Sequence, residues 1–120
     1  MTDDIALRSL SDRVVLLCLV DFELSGAAPV HTGRVVRATK EHIDAVDTET
    51  LGKLSEAEVS RALNRLDADG LVEIVESGDQ SSTGKGRPEY APAVESETVL
   101  GALAEDGQVG ALADRVGEQG

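Results

Sequence analysis

The sequence predicts an α+β domain: a helical core, a small β-hairpin and a closing helical segment. Three observations carry that expectation. Ser55-Glu56-Ala57-Glu58 has the form of a capping box, and the residues after it place Val59, Leu63 and Leu66 on one helical stripe with Ala62 beside them. Leu71-Val72-Glu73-Ile74-Val75-Glu76 is rich in β-branched residues, followed by GDQSSTGKGR and then by the extended segment PEYAP, which reads as strand, loop and strand. Val14 to Val20 is apolar all the way round, which marks a helix buried on more than one side.

The elements follow in order. Residues 1–10 open polar and acidic, and a frayed N-terminus is expected there. Ser11 is the expected N-cap of a first helix, DRVVLLCLVDFEL, that ends near Gly26. Ala27 to His31 connects it to the next helix, with room for a very short strand. Thr32 caps that second helix, which runs through Val35, Val36 and Ala38 to Ile43 or Val46, and DTETLGKL interrupts it at residues 47–54. The capped third helix stops at Gly70. Beyond the hairpin, Ser96 to about Val116 is helical in pattern but shifts phase. Val99, Leu100 and Leu103 share one face, while Val109, Leu112 and Val116 share roughly the opposite one. Either the helix breaks near Gly107, or it is sandwiched between its own domain and a second chain.

A chain of 120 residues is one ordinary domain with a modest core. Apolar residues make up 41% of it, with no Trp, one Phe and one Tyr, so the core is built from Leu, Val and Ala. The formal net charge is -12, and only three of the eleven basic residues are lysines. Such a balance fits an acidic interaction module. It also fits salt adaptation, in which an acidic surface keeps the protein soluble in brine and the ions screen its self-repulsion. The few lysines, many carboxylates and small core residues favour brine. Basic charge is concentrated mid-chain: residues 34–87 hold eight of the eleven basic side chains and eleven of the 23 acids.

The single cysteine, Cys18, excludes an intramolecular disulfide and a thiolate zinc site within one chain. No basic, cleavable leader is apparent, and the longest apolar run is too short to span a bilayer, so a soluble cytoplasmic protein without a membrane partner is expected. No constellation suggests an enzyme. His31 and His42 lack a neighbouring ligand pattern, the pairs Asp3-Asp4 and Glu105-Asp106 lie in expected termini or turns, and TGKGR has neither the spacing of a P-loop nor a helix after it. No metal site is expected. Cys18, amid an apolar run, reads as a buried inert thiol.

Over roughly residues 11–92, the order of elements resembles the winged helix-turn-helix domains of bacterial and archaeal transcription regulators. The resemblance is carried by SEAEVSRALNRLDADGLVEI and by STGKGRPEY, whose Gly-Arg-Pro-Glu-Tyr end is similar to the Gly-Arg-Pro-x-x-Tyr wing end of PadR-like regulators but one residue shorter. With the acidic composition and a C-terminal helix over 93–120, the chain is similar to haloarchaeal PadR-like regulators. The resemblance implies a DNA-binding transcription regulator, acting as a homodimer on a pseudo-palindromic operator in double-stranded DNA, with a link to oxidative stress. The C-terminal helix is then expected to serve dimerisation, because it and the first helix hold more apolar surface than one small domain covers.

In such folds the third helix enters the major groove. Its face opposite Val59, Leu63 and Leu66 carries Ala57, Arg61, Asn64 and Ala68, flanked by Ser60 and Arg65. Arg suits guanine O6/N7, Asn suits adenine N6/N7, and Ala permits close approach. In the loop, Thr83, Lys85, Gly86 and Arg87 can meet phosphates or the minor groove. Arg34, Arg37 and Lys40 recur at helical spacing, as a secondary phosphate stripe or as an ordinary solvated face with Glu41 and Asp44. Glu56, Glu58, Asp67, Asp79 and Glu89 lie near the same surface, so bridging cations such as K⁺ are expected between carboxylates and DNA phosphates. A winged-helix protein-interaction subunit without sequence-specific DNA binding is the alternative reading.

Overall fold

The computed structural model describes residues 5, 7–46, 55–76, 88–107 and 109–119. Their elements run α1 (Leu10–Leu24), β1 (Val30–His31), α2 (Thr32–Val46), α3 (Glu56–Ala68), β2 (Val72–Glu76), β3 (Pro88–Pro92), α4 (Ser96–Leu103) and α5 (Gly110–Gln119). The fold is α+β, with five helices and one three-stranded antiparallel sheet among the described residues. This layout is compatible with a winged-helix arrangement.

α1 is the hub. Val14 through Val20 are fully buried, and α2, α3, α4, α5 and β3 all pack against this one helix. That explains an apolar run with no polar face: every side of α1 has a neighbour in the same chain. Its N-cap is Ser9, not the expected Ser11. Ser9 is extended (φ -61°, ψ 160°) and its hydroxyl accepts from the Asp12 backbone N–H at 3.3 Å, whereas Ser11 already lies in the first turn. At the other end, Gly26 adopts φ 81° and the Ala27 N–H donates to the Phe22 carbonyl at 2.8 Å, which closes the helix in a Schellman-type turn.

The expectation of a frayed N-terminus does not hold for its described part. Ile5 is buried in the core, and Arg8 is anchored by two carboxylates. Residues 1–4 and 6 lie outside the described residues.

α3 begins at the predicted capping box: the Ser55 hydroxyl accepts from the Glu58 N–H at 3.1 Å, and the Glu58 carboxylate accepts from the Ser55 N–H at 3.3 Å. It ends at Gly70, whose φ of 80° lets the Leu71 N–H reach back to the Leu66 carbonyl at 2.9 Å. That turn feeds directly into β2. β3 is the central strand, in the order β1-β3-β2, with Val30 and Ile74 both opposite Tyr90. Its prolines stand at its two ends, Pro88 opposite Glu76 and Pro92 opposite Val72, where a missing N–H costs the ladder least.

The phase shift after residue 96 is resolved by a break. α4 buries Val99 and Leu103, and α5 buries Leu112, Ala113 and Val116 against the same core, with Val109 just ahead of it. The turn between them is held by Asp106, whose carboxylate accepts from the Val109 N–H at 3.0 Å and from Arg13 of α1 at 2.8 and 2.9 Å. Gly110 sits against the Ala104 carbonyl, where a Cβ would meet the oxygen at 3.0 Å. The surplus of apolar surface expected of α1 and the C-terminal segment therefore does not exist: one chain covers it. The argument for a dimer from uncovered apolar surface falls with it. No helix among the described residues is long and apolar enough to cross a membrane.

Candidate nucleic-acid interface

α3 turns Val59, Ala62, Leu63 and Leu66 inward. Ala57, Arg61, Asn64 and Ala68 are exposed on the outer side, with Ser60 half-buried at its edge. The face predicted for base contact is thus solvent-facing, and Arg61 and Asn64 make no hydrogen bond with other side chains among the described residues. A guanidinium and an amide held on adjacent turns, with small residues around them, give donors and acceptors room to approach a base-pair edge.

Arg65 departs from the expectation. Its guanidinium donates to Asp12 Oδ1 at 2.7 and 3.0 Å and to the Ser11 hydroxyl at 3.2 Å, so it ties α3 to the start of α1. Asp12 is 3% exposed in its side chain and also accepts from Arg8 at 3.0 Å, while Arg8 reaches Asp69 at 2.7 Å just beyond the end of α3. Burial works against the Arg8 charge, but hydrogen bonds and charge from Asp69 and Asp12 outweigh it and raise its pKa. Two arginines and two aspartates therefore set how α3 lies on the hub. Sequence reasoning missed this network. The Arg8–Asp12 spacing of four was visible, but the 53-residue separation of Asp12 and Arg65 was not.

Thr83, Lys85, Gly86 and Arg87 lie outside the described residues, as do Asp79 and residues 47–54. The chain joining the paired ends Glu76 and Pro88 contains all four predicted loop contacts. Glu56, Glu58, Asp67 and Glu89 are within the described part, and the first three share α3 with Arg61. The α2 stripe divides. Arg37 and Lys40 line a cleft with Glu56 at the start of α3, whereas the Arg34 guanidinium lies 5.4 Å from the centre of the Phe22 ring on the α1 side.

Cys18 is not part of this surface. It is fully buried on α1, and its thiol contacts the Thr39 hydroxyl at 3.5 Å. Because that hydroxyl already donates to the Val35 carbonyl at 2.8 Å, the thiol is the donor. Burial above all, together with the Asp21 charge, pushes the thiol pKa up to about 12. At pH 8 the folded protein should alkylate with iodoacetamide more than about a thousandfold more slowly than the denatured chain. Rates within tenfold of each other would contradict the burial.

Comparison of the chain with protein-family models, curated proteins and solved structures finds no match in any of the three.

Proposed function

We propose that this protein is a DNA-binding transcription regulator of the winged helix-turn-helix type. α3 lies in the major groove, and the segment between β2 and β3 acts as a wing against phosphates or the minor groove. The observation that carries this reading is the outer face of α3, where Ala57, Arg61, Asn64 and Ala68 stand exposed opposite the buried stripe. Arg65 acts as a positioning residue through Asp12. A homodimer on a pseudo-palindromic operator follows from the two-fold symmetry that paired recognition helices require, rather than from apolar surface left uncovered. The acidic composition points to a salt-adapted cytoplasm, and the sequence resemblance implies a haloarchaeal one. If the regulator answers oxidative stress, as its sequence resemblance implies, the signal does not enter through Cys18.

Anisotropy titrations against a duplex selected from a random pool test the reading. Arg61→Ala and Asn64→Ala should each weaken binding by about 1–3 kcal/mol and relax base preference. Lys85→Ala and Arg87→Ala should weaken binding evenly across sequences. If all four variants bind like the parent, the reading is wrong. A folded protein that selects no duplex points instead to a protein-interaction subunit.

Salt gives a separate expectation. DNA binding ordinarily weakens with salt because condensed cations are released. Here Glu56, Glu58 and Asp67 share α3 with Arg61, and they repel phosphates unless K⁺ or another cation sits between. Cation uptake then offsets release, and affinity should stay flat or rise between moderate and molar KCl. A steep fall over that range would rule out bridging cations.

A further inference from the structure

A cleft of about 490 Å³ opens between α1, α2 and α5, with no residue of α3 in its lining. Asp21 and Phe22 of α1, Arg34, Arg37 and His42 of α2, and Arg115 of α5 line it. The volume lies within the roughly 300–1,000 Å³ of small-molecule sites. Its electrostatics run against those of the chain. A protein of net charge -12 brings three of its eight arginines to this one cleft. Arg8, Arg13 and Arg65 are each paired with an aspartate, whereas Arg34, Arg37 and Arg115 have no carboxylate partner among the described residues.

The cleft is also organised. Arg115 Nε donates to His42 Nδ1 at 3.2 Å, and since a guanidinium can only donate, Nδ1 is the acceptor. The ring proton then sits on Nε2, 3.0 Å from Asp21 Oδ2. This chain from α1 through α2 to α5 uses the Nε of Arg115, and its two terminal nitrogens have no partner among the described residues. The Arg34 guanidinium carbon lies 5.4 Å from the centre of the Phe22 ring, a cation–π contact that helps to hold it at the cleft. Asp21 Oδ1 is buried and has no hydrogen-bond partner among the described residues. A buried carboxylate oxygen without a donor is costly, and a donor from a ligand would relieve it. Glu41 on the rim adds a second acceptor.

We propose that this cleft binds a small organic oxyanion that also carries a hydroxyl or amine. The guanidinium edges of Arg34 and Arg115 hold its carboxylate or phosphate, Arg37 closes over it, and the Asp21 and Glu41 carboxylates accept from its donor group. Guanidinium forks suit carboxylate and phosphate alike, so the site selects by charge and by the accompanying donor.

The full-length protein in a constant KCl background is titrated with L-malate, with succinate and with inorganic phosphate, followed by amide and arginine side-chain NMR shifts. The expected result is saturable shifts at Arg34, His42 and Arg115 with L-malate, and binding of succinate, which lacks the hydroxyl, about tenfold weaker. Saturation by phosphate at the same residues, tighter than by L-malate, assigns the occupant to phosphate esters rather than carboxylates and still supports an oxyanion site. Arg115→Gln should weaken binding about tenfold or more. Because that change also breaks the contact with His42, Arg34→Gln provides a second variant whose loss disturbs no hydrogen bond of the fold. No saturable shift with any of the three probes, or unchanged binding in a folded Arg34→Gln protein, overturns the proposal.

Discussion

Replacing Asp12 by Ala should lower folding stability by about 2–4 kcal/mol, a loss far larger than an ordinary surface charge produces. Asp12 is almost fully buried, and its carboxylate receives Arg65 from α3 and Arg8 from the segment before α1. Removing it leaves both guanidinium groups without their shared acceptor. Arg65 is 46% exposed and can recover some hydration, and Arg8 keeps Asp69, so the cost falls short of the upper range for a wholly buried pair. Asp12→Asn should recover part of the loss, because one acceptor oxygen remains. Denaturant melts of the two variants decide the matter. A loss under about 0.5 kcal/mol would show that the network is no more than a surface ion pair. The same variants bear on the proposed interface. If Arg65 positions α3, then Asp12→Asn should weaken DNA binding even under conditions where the variant is fully folded.

Leu112→Ala should cost about 2–5 kcal/mol, and the loss should not depend on protein concentration. Leu112 is fully buried on α5 against α1 of the same chain, so its removal opens a cavity within one protomer. Had this face been a subunit interface, stability would rise with concentration, since dissociation and unfolding would be linked. Melts at two concentrations a hundredfold apart separate the two. A midpoint shift between parent and variant that grows on dilution would contradict packing within the chain.

Local signals were the legible part of this fold. The capping box at Ser55, the stop at Gly70 and the run from Leu71 to Glu76 each depend on residues within one or two turns, and each stands where the sequence places it. So do the short strand before Thr32 and the antiparallel pairing of β2 with β3. The choice between Ser9 and Ser11 was not legible, because both are good caps and Leu10 fits the helix equally well. Ile5 was also beyond reach: one apolar residue in a polar segment has no periodicity to announce that it docks in the core.

The larger miss concerns the apolar surplus. A helix that is apolar all round and a segment with two apolar phases read as too much surface for one small chain. The break between Leu103 and Gly110 reverses that arithmetic, since it lets α4 and α5 present both phases to one core. The phase shift itself was visible. Which remedy the chain adopts depends on the tight approach of Gly110 to Ala104 and on the Arg13–Asp106 pair, 93 residues apart. At the candidate interface the pattern is similar. The exposed positions of Ala57, Arg61, Asn64 and Ala68 follow from helical periodicity alone, but the attachment of Arg65 to Asp12 is a tertiary fact. The cleft at Arg115 likewise needs three helices assembled before it exists.

The most direct test of DNA recognition through α3 is an amide-shift map of the full-length protein titrated with its selected duplex in concentrated KCl. The largest perturbations should fall on Ala57, Ser60, Arg61, Asn64 and Ala68, with further ones between Glu76 and Pro88, while the amides of α4 and α5 move little. Perturbations that cluster on α4 and α5 and spare the outer face of α3 would contradict the reading, as would a folded protein whose spectrum no duplex changes.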